Sequence, residues 1–313
     1  MASPNLSEII TTTLRNRSKS LADNVTNHNA LLRRLSENGN ITTVTGREIV
    51  RELEYASNGT VGFYSGYESL DVSPSDVLTS ATFDYKQMAG NVTISGLEQI
   101  QNSGTEAVIN LLESRIGVLE KSMANTLSTS LYSDGTGSDG KEVGGLQLLV
   151  ADAGTGTVGG INSSTFTFFQ NAQTTATSSA FSTTNIQADM NTIYLSLVRG
   201  SDSPDLIMAD TNSYKSFLGS LQAIQRVTSD RVATSGFTSV QYLNSDVIFD
   251  DACPANKMYF LNTDYLRLEV AANRNFVPGE AKMSVNQDAM VTPMFWSGNL
   301  TCSNRALQGV IHT

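Results

Sequence analysis

Residues Thr45 to Leu131 constrain the fold more than any other segment. They read as a long β-hairpin with a polar tip that runs directly into one long amphipathic helix. The outgoing arm, Arg47-Glu48-Ile49-Val50-Arg51-Glu52-Leu53-Glu54-Tyr55, and the returning arm, Thr82-Phe83-Asp84-Tyr85-Lys86-Gln87, are alternating stretches. That period of two belongs to a strand with one covered face. The tip between them, Asn58 to Ser80, is rich in Gly, Ser, Tyr and Asp and has no continuous apolar run to bury. At about 3.3 Å per residue such a hairpin reaches roughly 35–45 Å, too far to be satisfied inside its own domain. An arm that long makes sense if it lies on a neighbouring copy, which points to assembly rather than catalysis.

The helix after the hairpin is the best-supported element. Ser103 and Glu106 form an S-x-x-E capping box, in which each side chain satisfies a free backbone N–H of the first turn. Val108, Leu111, Leu112, Ile116, Leu119, Met123, Leu127 and Leu131 follow at spacings of three and four, and Ser133-Asp134-Gly135 ends the helix. A helix over 104–131 is about 40 Å long at 1.5 Å per residue. Residues 1–44 carry two thinner stripes, Leu6, Ile9, Ile10, Leu14 and Leu21, Val25, Leu31, Leu32, Leu35. They read as an arm with helical pieces that docks on other subunits.

Residues 132–180 are rich in Gly, Thr and Ser, with one β-like run at Gly145 to Val150. Beyond them the patterns predict a helix at Ile186 to Leu197, a buried strand at Asp205 to Met208 and a helix at Tyr214 to Ile224. Strands follow at Val240 to Phe249, Lys257 to Asn262 and Tyr265 to Val270, then one long extended strand from Ala289 to Ile311. Helices and antiparallel strands are interspersed rather than arranged in strict βαβ units, so the fold class is α+β.

The chain has 313 residues and 40% hydrophobic residues, enough for a real core; charged residues make only 16%. Net charge is −10, unevenly placed. Residues 1–50 hold six basic side chains (Arg15, Arg17, Lys19, Arg33, Arg34, Arg47) against four acidic, net +2, which leaves −12 for the remainder. An acidic body disfavours sequence-independent DNA binding, which needs Lys and Arg on phosphates. The start lacks a signal-peptide pattern and no stretch approaches a membrane span. A cytoplasmic protein is expected.

Candidate chemistry is thin. Gly154-Thr155-Gly156-Thr157-Val158-Gly159 matches G-x-G-x-x-G, but Gly160-Ile161-Asn162-Ser163 is poor helix and residues 172–182 contain no Asp or Glu. A dinucleotide site requires both, so the segment reads as a flexible loop. Asp134 to Gly140 resembles a calcium-binding turn but supplies too few carboxylates. Histidines occur only at 28 and 312, in no nucleophile context, and Cys253 and Cys302 are too few for a zinc site or a disulfide framework. No catalytic residue, cofactor or metal is expected. Phe63, Tyr64 and Tyr67 at the tip are the candidate subunit contacts, because aromatics on a polar loop favour interfaces. Arg15 and Arg17 are candidates in the basic arm.

The order of basic arm, long hairpin, capped long helix, Tyr-Ser-Asp-Gly-Thr-Gly loop and mixed domain resembles the major capsid protein of tailed double-stranded DNA bacteriophages. Tyr64-Ser65-Gly66-Tyr67-Glu68, Phe83-Asp84-Tyr85-Lys86-Gln87, Ile94-Ser95-Gly96-Leu97-Glu98 and Leu131-Tyr132-Ser133-Asp134-Gly135 look especially similar. The resemblance implies an arm (1–44), an extended loop (45–96), a peripheral domain (97–164 and 285–313) with its spine helix, and an axial domain (165–284). It also implies a virion subunit, assembled in the host cytoplasm, that forms hexamers and pentamers enclosing double-stranded DNA. Implied partners are further copies of itself, a portal, and separate scaffolding or decoration proteins, with no membrane. Some relatives carry a scaffolding region ahead of the arm; here about 45 residues precede the hairpin, so any scaffold is expected to be a separate protein. Some cross-link a hairpin lysine to an asparagine, for which Lys86 with Asn299 or Asn304 is the available set. An encapsulin-like compartment shell and a tail-tube or filament protein are the rival readings.

Overall fold

The computed structural model describes residues 30–101, 111–221, 240–284 and 286–313. The first 29 residues, with Arg15, Arg17 and His28, lie outside the described residues, as does the Ser103/Glu106 capping box.

Two six-stranded sheets organise the chain. The first is built on β15 (Ala289–Cys302). Along one edge β15 pairs antiparallel with β4 (Lys86–Ser95) over ten residue pairs, Ala289↔Ser95 to Gly298↔Lys86. Along the other it pairs with β12 (Leu266–Ala271), β13 (Val277–Pro278) and β14 (Lys282–Met283), and β1 (Ile41–Val44) extends β12 in parallel. Met294, Trp296, Leu300 and Cys302 are buried along β15. The second sheet runs β7 (Ala172–Thr175), β16 (Gly309–His312), β11 (Lys257–Leu261), β8 (Leu206–Ala209), β10 (Ser245–Phe249), β9 (Val240–Tyr242). All four residues of β8 are buried, as the apolar run predicts for a central strand covered on both faces.

The long helix α3 (Leu111–Ser130) lies over β4. Gly90 on β4 lets it approach closely, since a Cβ there would run into Leu119 and Met123. The stripe works as the spacing predicts: Met123, Leu127 and Leu131 are at most 4% exposed, while Ile116 and Leu119 pack on the same core less deeply. Preceding it, α2 (Gly96–Gln101) opens with its own capping box, Ser95 N donating to Glu98 Oε2 and Glu98 N to Ser95 Oγ. In the second sheet's layer, α4 (Ile186–Leu197) buries Ile186, Met190, Ile193 and Leu197, and α5 (Thr211–Ser220) starts where Asp210 accepts the amides of Asn212 and Ser213. That cap moves the helix start ahead of the expected Tyr214.

Several expectations are corrected. Residues 30–44 do not wait for another subunit: α1 (Ala30–Glu37) buries Leu31 and Leu35 on its own chain. It is pinned by Leu31 N donating to Asp250, at 3.2 Å, and by a buried Arg34–Asp246 ion pair. Gly145 to Val150 is no strand but a helical turn, Leu146–Leu149, because Leu146, Leu149 and Val150 all find cover at helical rather than alternating spacing. The Gly154–Gly159 segment is not a loose loop. It ends in a tight hairpin, β5 (Thr157–Val158) and β6 (Ile161–Asn162), whose two-residue turn Gly159-Gly160 has φ of +57° and +79°, which glycine adopts without strain. Val240 to Phe249 is two strands around a turn. The terminal extended run is also two strands, β15 and β16, in different sheets, separated by a 3₁₀ turn at Arg305–Leu307.

Candidate subunit-assembly surface

The hairpin is β2 (Ile49–Glu54) and β3 (Leu78–Phe83), in register from Ile49↔Phe83 to Glu54↔Leu78. The return strand therefore starts at Leu78 rather than Thr82, and Lys86 and Gln87 belong to β4. Six paired residues make a stem of about 20 Å, shorter than expected, because residues 55–77 have no cross-strand apolar pairs to extend it.

One face of the stem belongs to the body. Ile49, Leu53, Ala81 and Phe83 are at most 6% exposed. Arg51 reaches over to the buried Glu269 of β12 at 2.6 Å. Desolvation pulls the Arg51 guanidinium below its usual range, against the raising effect of Glu269. The β5–β6 turn buttresses the stem: Thr82 N donates to Gly159 O at 3.0 Å, and any side chain at 159 would strike Ala81. Tyr55 then packs on Phe168, ring centroids 5.6 Å apart. The stem is thus rigidly based before the tip leaves the molecule.

The tip shapes itself with short polar side chains. Asn58 Oδ1 accepts Thr60 N, Glu68 Oε2 accepts Ser65 N and Asp71 Oδ1 accepts Ser73 N, all between 2.9 and 3.0 Å. The Asn58 and Asp71 contacts are Asx turns, and Glu68 reaches back to the amide three residues before it. The hydroxyl and amide of Ser73 hold the Asp71 carboxyl below the usual range. Nothing among the described residues covers the aromatics: Phe63 and Tyr67 are fully exposed and Tyr64 is 67% exposed. Val61, Leu70, Val72 and Leu78 are exposed as well. Pattern alone does not single out these four; for Val61, Leu70 and Val72 the available signal is an isolated apolar residue among Gly, Ser, Thr and Asp. A run of large apolar side chains held in water marks an interaction surface.

A latch joins β4 to the helix above it. Arg115 on α3 donates to both carboxylate oxygens of Glu98, at 3.1 and 3.0 Å, and to Thr93 O at 2.7 Å. Hydrogen bonding by Arg115, followed by the Ser95 amide, draws the Glu98 carboxyl down to about 2. A depressed carboxyl stabilises the fold above its unfolded value, about 4.3, and the contribution is lost as pH falls through the folded value. Glu98→Gln is expected to cost about 0.5–1 kcal/mol at pH 7. In urea titrations across pH, that difference from wild type shrinks below pH 4 and is gone near pH 2.

Chemistry beyond assembly finds little support. Cys253 and Cys302 are buried free thiols, and desolvation pushes the Cys302 thiol up to about 12. Among the described residues no His, Cys, Asp and Glu group could hold a metal, and no helix is long and apolar enough to cross a membrane. Asp134 caps Thr136 N at 2.9 Å, an ordinary turn. Among the described residues His312 meets Gln173, at 3.3 Å. The cross-linking set is not assembled either. Lys86 sits outside the hairpin with its ammonium on Gly140 O, at 2.6 Å, and the Asn299 amide is spent on Asp84 O and Gly144 N.

No family model and no curated protein matches the chain, but its architecture has solved counterparts. The cyanophage A-1(L) capsid asymmetric unit aligns with a TM-score of 0.74 at 17% identity, over 96% of each chain. The chain has the tailed-phage capsid fold. The capsid of a native GTA particle aligns at TM-score 0.67 and 9% identity, over 96% of this chain and 95% of that one. The SrpI encapsulin of Synechococcus elongatus PCC 7942 aligns at 0.64 and 10%, over 98% and 95%.

Proposed function

We propose that the chain is the structural subunit of an icosahedral capsid, assembling into hexamers and pentamers that enclose double-stranded DNA. The observation that carries this reading is the hairpin tip, presenting Phe63, Tyr64 and Tyr67 to solvent on a stem anchored to the body. An apolar surface so far from its own core is stabilised by a neighbouring copy, and one heterologous contact repeated in a closed ring builds a shell. The basic arm, with Arg15 and Arg17, joins those contacts. A portal and separate scaffolding or decoration proteins complete the partners, and the virion is the final location. By sheet membership, β12 to β15 go with the peripheral domain and β16 with the axial domain. This refines the 165–284 and 285–313 boundaries.

Negative-stain micrographs of concentrated purified protein are expected to show closed shells; rods would favour a tail-tube subunit. The encapsulin likeness supports a second reading, a compartment shell. Nuclease-protected double-stranded DNA inside particles purified from the native source supports the capsid, and protein cargo supports the compartment.

A further inference from the structure

We propose that Asn58 at the hairpin tip is a self-modifying residue, converted to aspartate and isoaspartate through attack by the Gly59 amide. The sequence places Asn before Gly twice, at 38–39 and at 58–59. Such a pair can cyclise because glycine, with no Cβ, lets its backbone nitrogen swing onto the asparagine side chain. The fold treats the two pairs differently. Asn58 Oδ1 accepts Thr60 N at 3.0 Å and Thr60 Oγ1 at 2.8 Å, which folds the side chain forward over the Asn58–Gly59 peptide. Among the described residues neither the Gly59 N–H nor Asn58 Nδ2 has a hydrogen-bond partner, and nothing lies within 4 Å of where a Gly59 side chain would stand. At the other pair both reacting groups are committed. Gly39 N donates to Ser36 O at 3.1 Å, and Asn38 Nδ2 donates to Thr263 Oγ1 at 3.1 Å.

The reaction needs only water. A solvent base takes the Gly59 amide proton as its nitrogen bonds to Asn58 Cγ. The negative charge collects on Oδ1, where the two Thr60 donors already point and serve as an oxyanion hole. The Cγ–Nδ2 bond then breaks, Nδ2 takes a proton from solvent and leaves as ammonia, and a cyclic imide remains. One water opens the ring at either carbonyl, giving aspartate or isoaspartate, with nothing oxidised or reduced. Each event adds one negative charge to a tip that carries Glu68, Asp71 and Asp76 and no Lys or Arg between residues 56 and 80. The isoaspartyl product also lengthens the backbone ahead of the exposed Phe63, Tyr64 and Tyr67.

The second Asn-Gly pair is an internal control within the same chain. Full-length unassembled subunit is incubated at mildly alkaline pH, with and without concentrated urea, and digested with trypsin at intervals. Asn38 and Asn58 fall in separate peptides, since Arg47 and Arg51 lie between them, and mass spectrometry follows the loss of each amide. In the folded subunit Asn58 is expected to react at least about tenfold faster than Asn38, because orientation favours one pair and the hydrogen bonds of the other oppose attack. In urea the two rates should converge to within about threefold, since the reacting groups are the same and the fold no longer positions them. Thr60→Val removes one donor to Oδ1 and should slow Asn58 by about threefold or more in the folded subunit, but not in urea. Equal rates for the two pairs in the folded subunit overturn the proposal. So does a difference that persists in urea, or a Thr60→Val variant as fast as wild type when folded.

Discussion

Leu127→Asp is expected to leave no stable subunit. Leu127 is 1% exposed at the centre of the α3 stripe, between Met123 and Leu131. Removing its side chain alone costs about 2–5 kcal/mol, and the carboxyl that replaces it must either stay charged without partners or bind a proton at neutral pH, each at further cost. The sum, on the order of 5 kcal/mol or more, is comparable to the whole stability of a typical domain. Val118→Asp, on the exposed side of the same helix at 46% exposure, is the matched control and is expected to fall within about 0.5 kcal/mol of wild type. Leu119→Asp should fall between them, because Leu119 is only partly covered. Urea unfolding of the unassembled subunit checks all three. A soluble, normally assembling Leu127→Asp protein would mean that this face of the helix is not core.

The second large effect is expected at Arg305, which is fully buried. Its guanidinium donates through Nε to Leu149 O at 2.6 Å, through Nη1 to Phe169 O at 3.0 Å and Ser163 Oγ at 3.3 Å, and through Nη2 to Asn171 Oδ1 at 3.0 Å. It also lies over the Phe169 ring, 5.5 Å from the centroid. No carboxylate pairs with it among the described residues, and burial lowers its pKa from the ordinary value. Arg305→Met keeps the length and removes the cost of the charge, yet strands several buried acceptors at about 1–3 kcal/mol each. The expected loss is about 3–5 kcal/mol in urea unfolding. Arg305→Lys should recover only a fraction, since one ammonium cannot span acceptors arranged for a planar fork. Equal stability of the Met variant and wild type would show that the loops around 149–171 do not depend on this side chain.

Arg305 also marks where the sequence stopped being sufficient. From Ala289 to Ile311 the alternation reads as one strand, and locally that reading is sound for both β15 and β16. What splits them is a turn whose first side chain is satisfied by carbonyls, a hydroxyl and an amide more than a hundred residues away. The same holds for α1. Its stripe of Leu31 and Leu35 was legible, but the partners that dock it on its own chain, Asp246 and Asp250, are over two hundred residues distant. Of the candidate contacts, Phe63, Tyr64 and Tyr67 could be picked out because aromatics on a polar loop stand out in any fold. The difference between Asn38 and Asn58 could not, because it lies in which donors and acceptors each amide and its glycine meet in the fold.

The division follows from the range of the forces. Alternation and 3.6-residue spacing act within a few residues, so the sequence by itself determined the α+β class, the hairpin, the spine and their order. Sheet membership, the choice between turn and strand at Gly145 to Val150, and the length of the hairpin stem depend on which apolar faces and backbone groups find partners across the chain. An apolar run can be covered equally well as strand or helix, and only the tertiary structure decides which neighbour covers it.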